Sequence, residues 1–302
     1  MPKEDVPIPE GNSNSSRSKV SKSYLSQICH LLTFNASPAT RLKKSMMIIS
    51  IDIDAGSKLL GYINGGKNDA AVHKHLSEAT IGQIEETALP LFVELFENVG
   101  IPATFAVRGQ LLDCCDGSID RLLDSCVAHD IGAHGYSHKQ FSHLSCAEAD
   151  YEIGKTTEAI KKLGITPHSF IFPRNTIAHL DILERYGYKC FRSNGGLRHD
   201  AMQIEKIGNI YKFFPSMLLD QDTDLTIVKR FLNIGIAKKG PLHFWFHLWN
   251  FGKNEKTLRY NVEKCLKPFL QYAEQRRQQG LLSFETMDSA VKKIENSNMS
   301  LK

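Results

Sequence analysis

The chain has 302 residues, 42% hydrophobic and 23% charged, with a formal net charge of +4 at pH 7. That length accommodates one large domain or two smaller ones, and the composition is that of a globular chain. The charge is mild and no dense Lys/Arg stripe with interleaved aromatics occurs, which argues against nucleic acid. No apolar run approaches the ~20 residues that span a membrane.

Residues 1–44 read as a leader. "MPKEDVPIPEGNSNSSRSKVSKS" has no apolar core or small-residue cleavage site, so it is not a secretory signal, and its Pro, Ser, Asn and Lys content predicts disorder. "YLSQICHLLTF" (24–34) is a candidate docking helix, and a single folded domain is expected over 45–302. The seven cysteines (29, 114, 115, 126, 146, 190 and 265) include no CxxC pair and two adjacent residues. Such a set suits reduced thiols in a cytoplasmic protein better than a disulfide framework.

"MMIISIDID" (46–54) predicts a buried strand. A helix is expected over 79–100, stopped by Gly100, then the strand "IPATFAVRG" and a helix in "SIDRLLDSCVAHD". "IGAHG" ends a short strand, and a helix opens at the N-cap Ser145. "HSFIFP", the helix "TIAHLDILERYG" and "YKCFRSN" follow, then a less regular region over 196–222. The helix "DLTIVKRFLNIGIAKKG", the strand "PLHFWFHLW", a long helix from about Lys256 to Gln279, the strand "LLSFETM" and a short helix complete the chain. This alternation predicts an α/β fold, a (β/α) barrel of about seven strands, with chemistry at the C-terminal strand ends.

Those ends carry a consistent set of residues: Asp52 and Asp54, then His134 and His138, Arg174 and Asn175, and finally His247 with Asn250. Two histidines and one carboxylate form a three-ligand site with an open position, as in catalytic zinc centres. His134 and His138, with Asp54 as third ligand, fit that pattern, and Gly135 favours a loop between the histidines. Asp52, taken to lie on the opposite phase of the strand, is expected to reach the site through a bend and to accept a proton. Each element has a blander reading. A DxD can end a strand in a solvated turn, HxxxH arises by chance, and Arg174 can cap a carbonyl. His243, on the same strand face as His247, is expected to pack in the barrel. The conjunction at strand ends favours the functional reading.

"SIDID", "IGAHGYSH", "SFIFPRN" and "FWFHLWN", in this order, resemble the motifs of the polysaccharide deacetylases, the NodB-homology domains of carbohydrate esterase family 4. The resemblance runs from about Ser45 to the last strand. It implies a deformed (β/α) barrel and a divalent metal, commonly zinc, on Asp54, His134 and His138. It also implies Asp52 as catalytic base, His247 as general acid and Arg174 as the arginine that orients the base. The Asp-Ile-Asp spacing and "FPRN" depart from the family's commoner forms and bear on the substrate. The function so implied is a metal-dependent hydrolase that removes the N-acetyl group from an amino sugar or glycan precursor; homo-oligomerisation stays open. Alternatives are an allantoinase-like hydrolase of a small amide and a non-catalytic carbohydrate-binding descendant. The long stretch 57–78, with Tyr62, His73 and His75, and the segment "RSNGG" are candidate rim loops, and Trp249 is a candidate for sugar stacking or barrel packing.

Overall fold

The computed structural model describes residues 42–54, 87–193, 202–252 and 254–297. The docking segment 24–34, the loop 57–78 and the glycines of "RSNGG" lie outside the described residues. Among the described residues ten strands form one sheet: β1 (Ser45–Ile53), β2 (Thr104–Val107), β3 (Asp130–Ala133), β4 (Ser169–Ile171), β5 (Cys190–Arg192), β6 (Ile204–Ile207), β7 (Ile210–Phe213), β8 (Met217–Leu218), β9 (Pro241–His247) and β10 (Leu282–Glu285). Their order is β6-β7-β5-β4-β3-β2-β1-β9-β8, with β10 beside the first half of β1. Every pairing is parallel except the β6–β7 hairpin. Among the described residues β6 and β8 end the path and do not pair with each other, and the sheet curls into the half-barrel of a deformed (β/α) barrel. The seven expected strands are β1–β5, β9 and β10; the region read as irregular supplies the other three.

The period of two along β1 organises the core. Met47, Ile49, Ile51 and Ile53 face the surrounding helices, packing with Phe92, Phe96 and Phe246 in the main cluster. Met46 and Ile48 face inward with Ala106, Ile171, Cys190 and Phe213, and the helix Met287–Asn296 packs on them through Met287, Ala290, Val291 and Ile294. The same inward register then carries Ser50 and Asp52, both buried. Asp52 and Asp54 are two residues apart and therefore share a face. The expectation of opposite phases, with a bend to bring Asp52 in, is corrected by that period.

The helices largely follow the sequence signals. Leu89–Val99 ends on Gly100, whose φ of 63° is the left-handed stop that glycine allows. Cys146–Lys161 starts from a capping box between Ser145 and Glu148. The long helix runs from Glu255 to Gln278 but widens into a π turn over Val262–Leu266. Pro268, which lacks an N–H and crowds the carbonyl four residues back, accounts for that widening. The helix expected over "SIDRLLDSCVAHD" shrinks to Asp120–Leu123. There Cys126 N–H donates to Glu97 and Val127 N–H to Ser125 Oγ, local bonds that compete with a helix. Order also begins before Ser45: Leu42 is buried and its N–H donates to the Lys239 carbonyl.

Candidate metal centre and its surroundings

Four strands, β1, β3, β5 and β9, deliver the site at their C-terminal ends. Asp52 pairs in register with Ala106 of β2 and His247 of β9. His134 follows β3, its N–H donating to Val107. The chain then turns through Gly135 (φ 65°) and returns at His138 (φ 63°). This is a loop rather than a helical turn, as Gly135 suggested. β5 ends in Arg192.

Asp54, His134 and His138 place one ligand atom each within 4.8 Å of one another, all from buried residues. His134 Nε2 lies 3.0 Å and His138 Nε2 3.5 Å from Asp54 Oδ1. Asp54 Oδ1 is nonetheless buried without a hydrogen-bond partner. An orphaned carboxylate oxygen facing two imidazole nitrogens is a donor set arranged around a common centre, and it fits a divalent cation. His134 Nδ1 donates to the Ile171 carbonyl at 2.7 Å, which fixes the tautomer with the Nε2 lone pair toward Asp54. Burial pushes His138 down to about 3, keeping it neutral for ligation. Burial opposes ionisation of Asp54, but His138, His247 and His134 outweigh it and hold the carboxyl far below the usual range. For His134 burial is again opposed, and Asp54 raises the imidazole above its ordinary value.

Beside this centre Asp52 is gripped by Arg192. Nη1 donates to Oδ1 at 2.7 Å and Nη2 to Oδ2 at 2.6 Å, both residues being almost fully buried. Arg192 Nη1 also donates to Ser50 Oγ at 3.0 Å, and the guanidinium lies 4.4 Å from the Trp245 ring centroid. Below, His243 Nε2 lies 2.8 Å from Ser50 Oγ. His243 thus packs inside the barrel, with burial holding it down to about 3. Burial would raise the Asp52 carboxyl, yet Arg192, His134 and His247 lower it below its usual value.

The guanidinium paired with Asp52 is that of Arg192, a residue given no site role in the sequence reading. β4 stops at Ile171, and Pro173–Asn175 forms a 3-10 turn in which Arg174 adopts a φ of 54°. That turn places Asn175 Oδ1 3.5 Å from Arg192 Nη2. The signal for Arg192 was its place two residues after the inward Cys190, at the tip of a strand. His247 Nε2 faces both carboxylates, 3.5 Å from Asp54 Oδ2 and 3.7 Å from Asp52 Oδ2. Its Nδ1–H donates to Asn250 Oδ1 at 3.0 Å, and Trp249 stacks on the imidazole at 4.6 Å. Trp249 is thereby engaged with His247 itself, a use that neither reading of the sequence anticipated.

Residues 74–191 match the model of the polysaccharide deacetylase family. A peptidoglycan deacetylase from Helicobacter pylori is 25% identical over 150 residues, 49% of this chain and 48% of that protein. The alignment thus spans about half of the relative's length. Among solved structures, a Mycobacterium smegmatis protein assigned to the polysaccharide deacetylases superposes with a TM-score of 0.66 at 14% identity, over 89% of this chain and 98% of the other. Puue allantoinase superposes at 0.61 with 11% identity, over 86% and 92%. At these identities the superpositions speak for the fold, and one fold hosts unlike substrates.

Proposed function

We propose that the chain, whose residues 74–191 match the model of the polysaccharide deacetylase family, is a member of that family and a metal-dependent hydrolase of the N-acetyl group of an amino sugar. The observation that carries the proposal is the convergence of Asp54, His134 and His138 beside an Arg192-bound Asp52 and a histidine facing both carboxylates. The Helicobacter pylori relative's name supports a saccharide substrate, a peptidoglycan-type glycan or its precursor.

Asp54, His134 and His138 would hold the cation, with zinc the first candidate for such a donor set. When bound, it would supply Lewis-acid polarisation of the acetyl carbonyl and make a water more acidic. Asp52 acts as the general base. Arg192 uses one lone pair of each carboxylate oxygen, and the second lone pair of Oδ2, on the His247 side, remains to take the proton of the attacking water. Its lowered pKa keeps the carboxylate ionised and ready. His247 acts as the general acid. Asn250 holds the Nδ1 proton, so the transferable proton sits on Nε2, and it goes to the leaving amine, which cannot depart as an anion. Burial of the group restricts water and strengthens each of these charge interactions.

Metal content of the purified protein and acetate release from N-acetylated saccharides, for wild type and Asp52→Ala, test the reading. About one metal per chain, with acetate release lost in the variant, is expected. Bound metal without acetate release from any saccharide overturns the substrate assignment, and absence of metal after resupply overturns the mechanism.

A further inference from the structure

The loop that carries His138 is held by a residue outside the site. Glu152 lies in the second turn of the Cys146–Lys161 helix and is completely buried. Its Oε2 accepts from the N–H groups of Tyr136, at 2.9 Å, and Ser137, at 2.7 Å, while Oε1 accepts from the Ser137 hydroxyl. The carbonyls of the same loop are taken from the other side. Gly109 N–H donates to Gly135 at 3.0 Å, Gln110 N–H to Tyr136 at 3.1 Å, and Arg108 Nη2 approaches the Ser137 carbonyl at 3.5 Å. Glu152 is thus the acceptor for two of the three backbone amides between the two histidines, those of Tyr136 and Ser137.

That anchoring has a reason. The loop bends through left-handed backbone at both Gly135 and His138, and for histidine this region is sterically disfavoured. Such a conformation persists only where the surroundings over-determine it. A buried carboxylate receiving three hydrogen bonds supplies that determination. The other neighbours of the loop, Pro173 and Phe141, would lie 3.2 and 3.3 Å from a Cβ at Gly135, and they contribute packing alone. The geometry points to Glu152 as the positioning residue of the His134–His138 loop, setting the His138 imidazole for the cation; the inference rests on the metal-site reading above.

The test is binding of Zn2+ and of Co2+ to full-length metal-free protein, as wild type, Glu152→Gln and Ser137→Ala, with thermal unfolding of each. The glutamine amide would turn a donor toward one of the three donors it must accept. Glu152→Gln is expected to weaken Zn2+ at least tenfold, in line with the 10–100-fold typical of groups behind metal ligands, and to change the Co2+ absorption bands. Ser137→Ala removes the hydroxyl that donates to Glu152 Oε1 and is expected to weaken Zn2+ severalfold in the same direction; it carries the test if Glu152→Gln does not fold. Affinity and Co2+ spectrum matching wild type in the folded variants would overturn the positioning role while leaving the metal site intact. A wild-type chain that binds neither ion would overturn the metal site and this role with it.

Discussion

Arg192 lays two parallel N–H donors on the carboxylate of Asp52 across the interior of the curled sheet, from the tip of β5 to that of β1. Neither charge has meaningful contact with solvent, so each is the other's compensation. Breaking one member of such a pair strands the other in low dielectric, typically at a cost of about 3–5 kcal/mol, whereas removing both together costs much less. Arg192→Met and Asp52→Asn are each expected to lower unfolding stability by about that amount, and the double variant by less than the sum. Denaturant unfolding of the four proteins reads the coupling. Arg192→Lys retains a charge without the planar fork, and in an acetate-release assay it should lose on the order of 10²-fold in kcat. Strict additivity in the cycle would refute the pairing.

Asn250 governs the tautomer of His247. Its Oδ1 accepts both the His247 backbone N–H, at 2.6 Å, and the ring Nδ1–H, at 3.0 Å. Asn250→Ala leaves the imidazole free to rotate and to exchange tautomers. The expected result is a fall in kcat of roughly 10-fold, smaller than the 10²–10⁴-fold expected for His247→Ala, with bound metal unchanged. A fall in kcat for Asn250→Ala as deep as that for His247→Ala, or loss of metal, would show that Asn250 does something other than orient the acid.

Gly109 is required by close approach. A Cβ there would lie 2.6 Å from Thr156 Cα, a backbone atom on the helix that also carries Glu152. Gly109→Ala must therefore push two helices apart, and overpacking of this kind costs about 1–3 kcal/mol. Because Gly109 N–H also holds the Gly135 carbonyl, the shift should weaken Zn2+ binding as well as lower the melting temperature. Gly164→Ala serves as a contrast: a Cβ at Gly164 meets nothing within 4 Å, so its penalty comes only from the left-handed φ of 76° and should leave metal affinity alone.

What the sequence disclosed follows from how local each feature is. The apolar run ending in Asp52 and Asp54, the HGYSH segment and the His247 strand end are short, contiguous patterns, and the structure brings these residues together. Arg192 was overlooked because its role depends on a strand at the far side of the sheet, and the motif order drew attention to Arg174 instead. Glu152 reads in sequence as one polar residue in an amphipathic helix; only tertiary packing turns it toward the loop. The β6–β7 hairpin did leave a local trace. "IGNI" joins Ile207 to Ile210 through a two-residue Gly-Asn turn, with Gly208 at φ 60°, and that dipeptide between β-branched residues is a hairpin signature.

A pH dependence of stability follows from His129, away from the site. Its Nδ1 accepts the Ala103 N–H at 3.1 Å and its ring packs edge-on against Phe105 and Phe96, so the fold uses the neutral imidazole. Burial pushes it down from 6.5 to about 4; its charged neighbours, Glu97 and Arg121, are paired with each other. Because the folded value lies below the unfolded one, the unfolded chain binds the proton more readily between these limits. The contribution is complete above pH 6.5 and is lost as pH falls toward about 4. Its ceiling is roughly 3 kcal/mol. His243, held down to about 3, acts with the same sign. His129→Asn keeps an acceptor for Ala103 N–H but cannot take up a proton, so its unfolding free energy should vary less with pH across this window. The comparison is of slopes, since the lost ring contacts lower stability at every pH. An unchanged slope would assign the acid sensitivity to His243 and other groups.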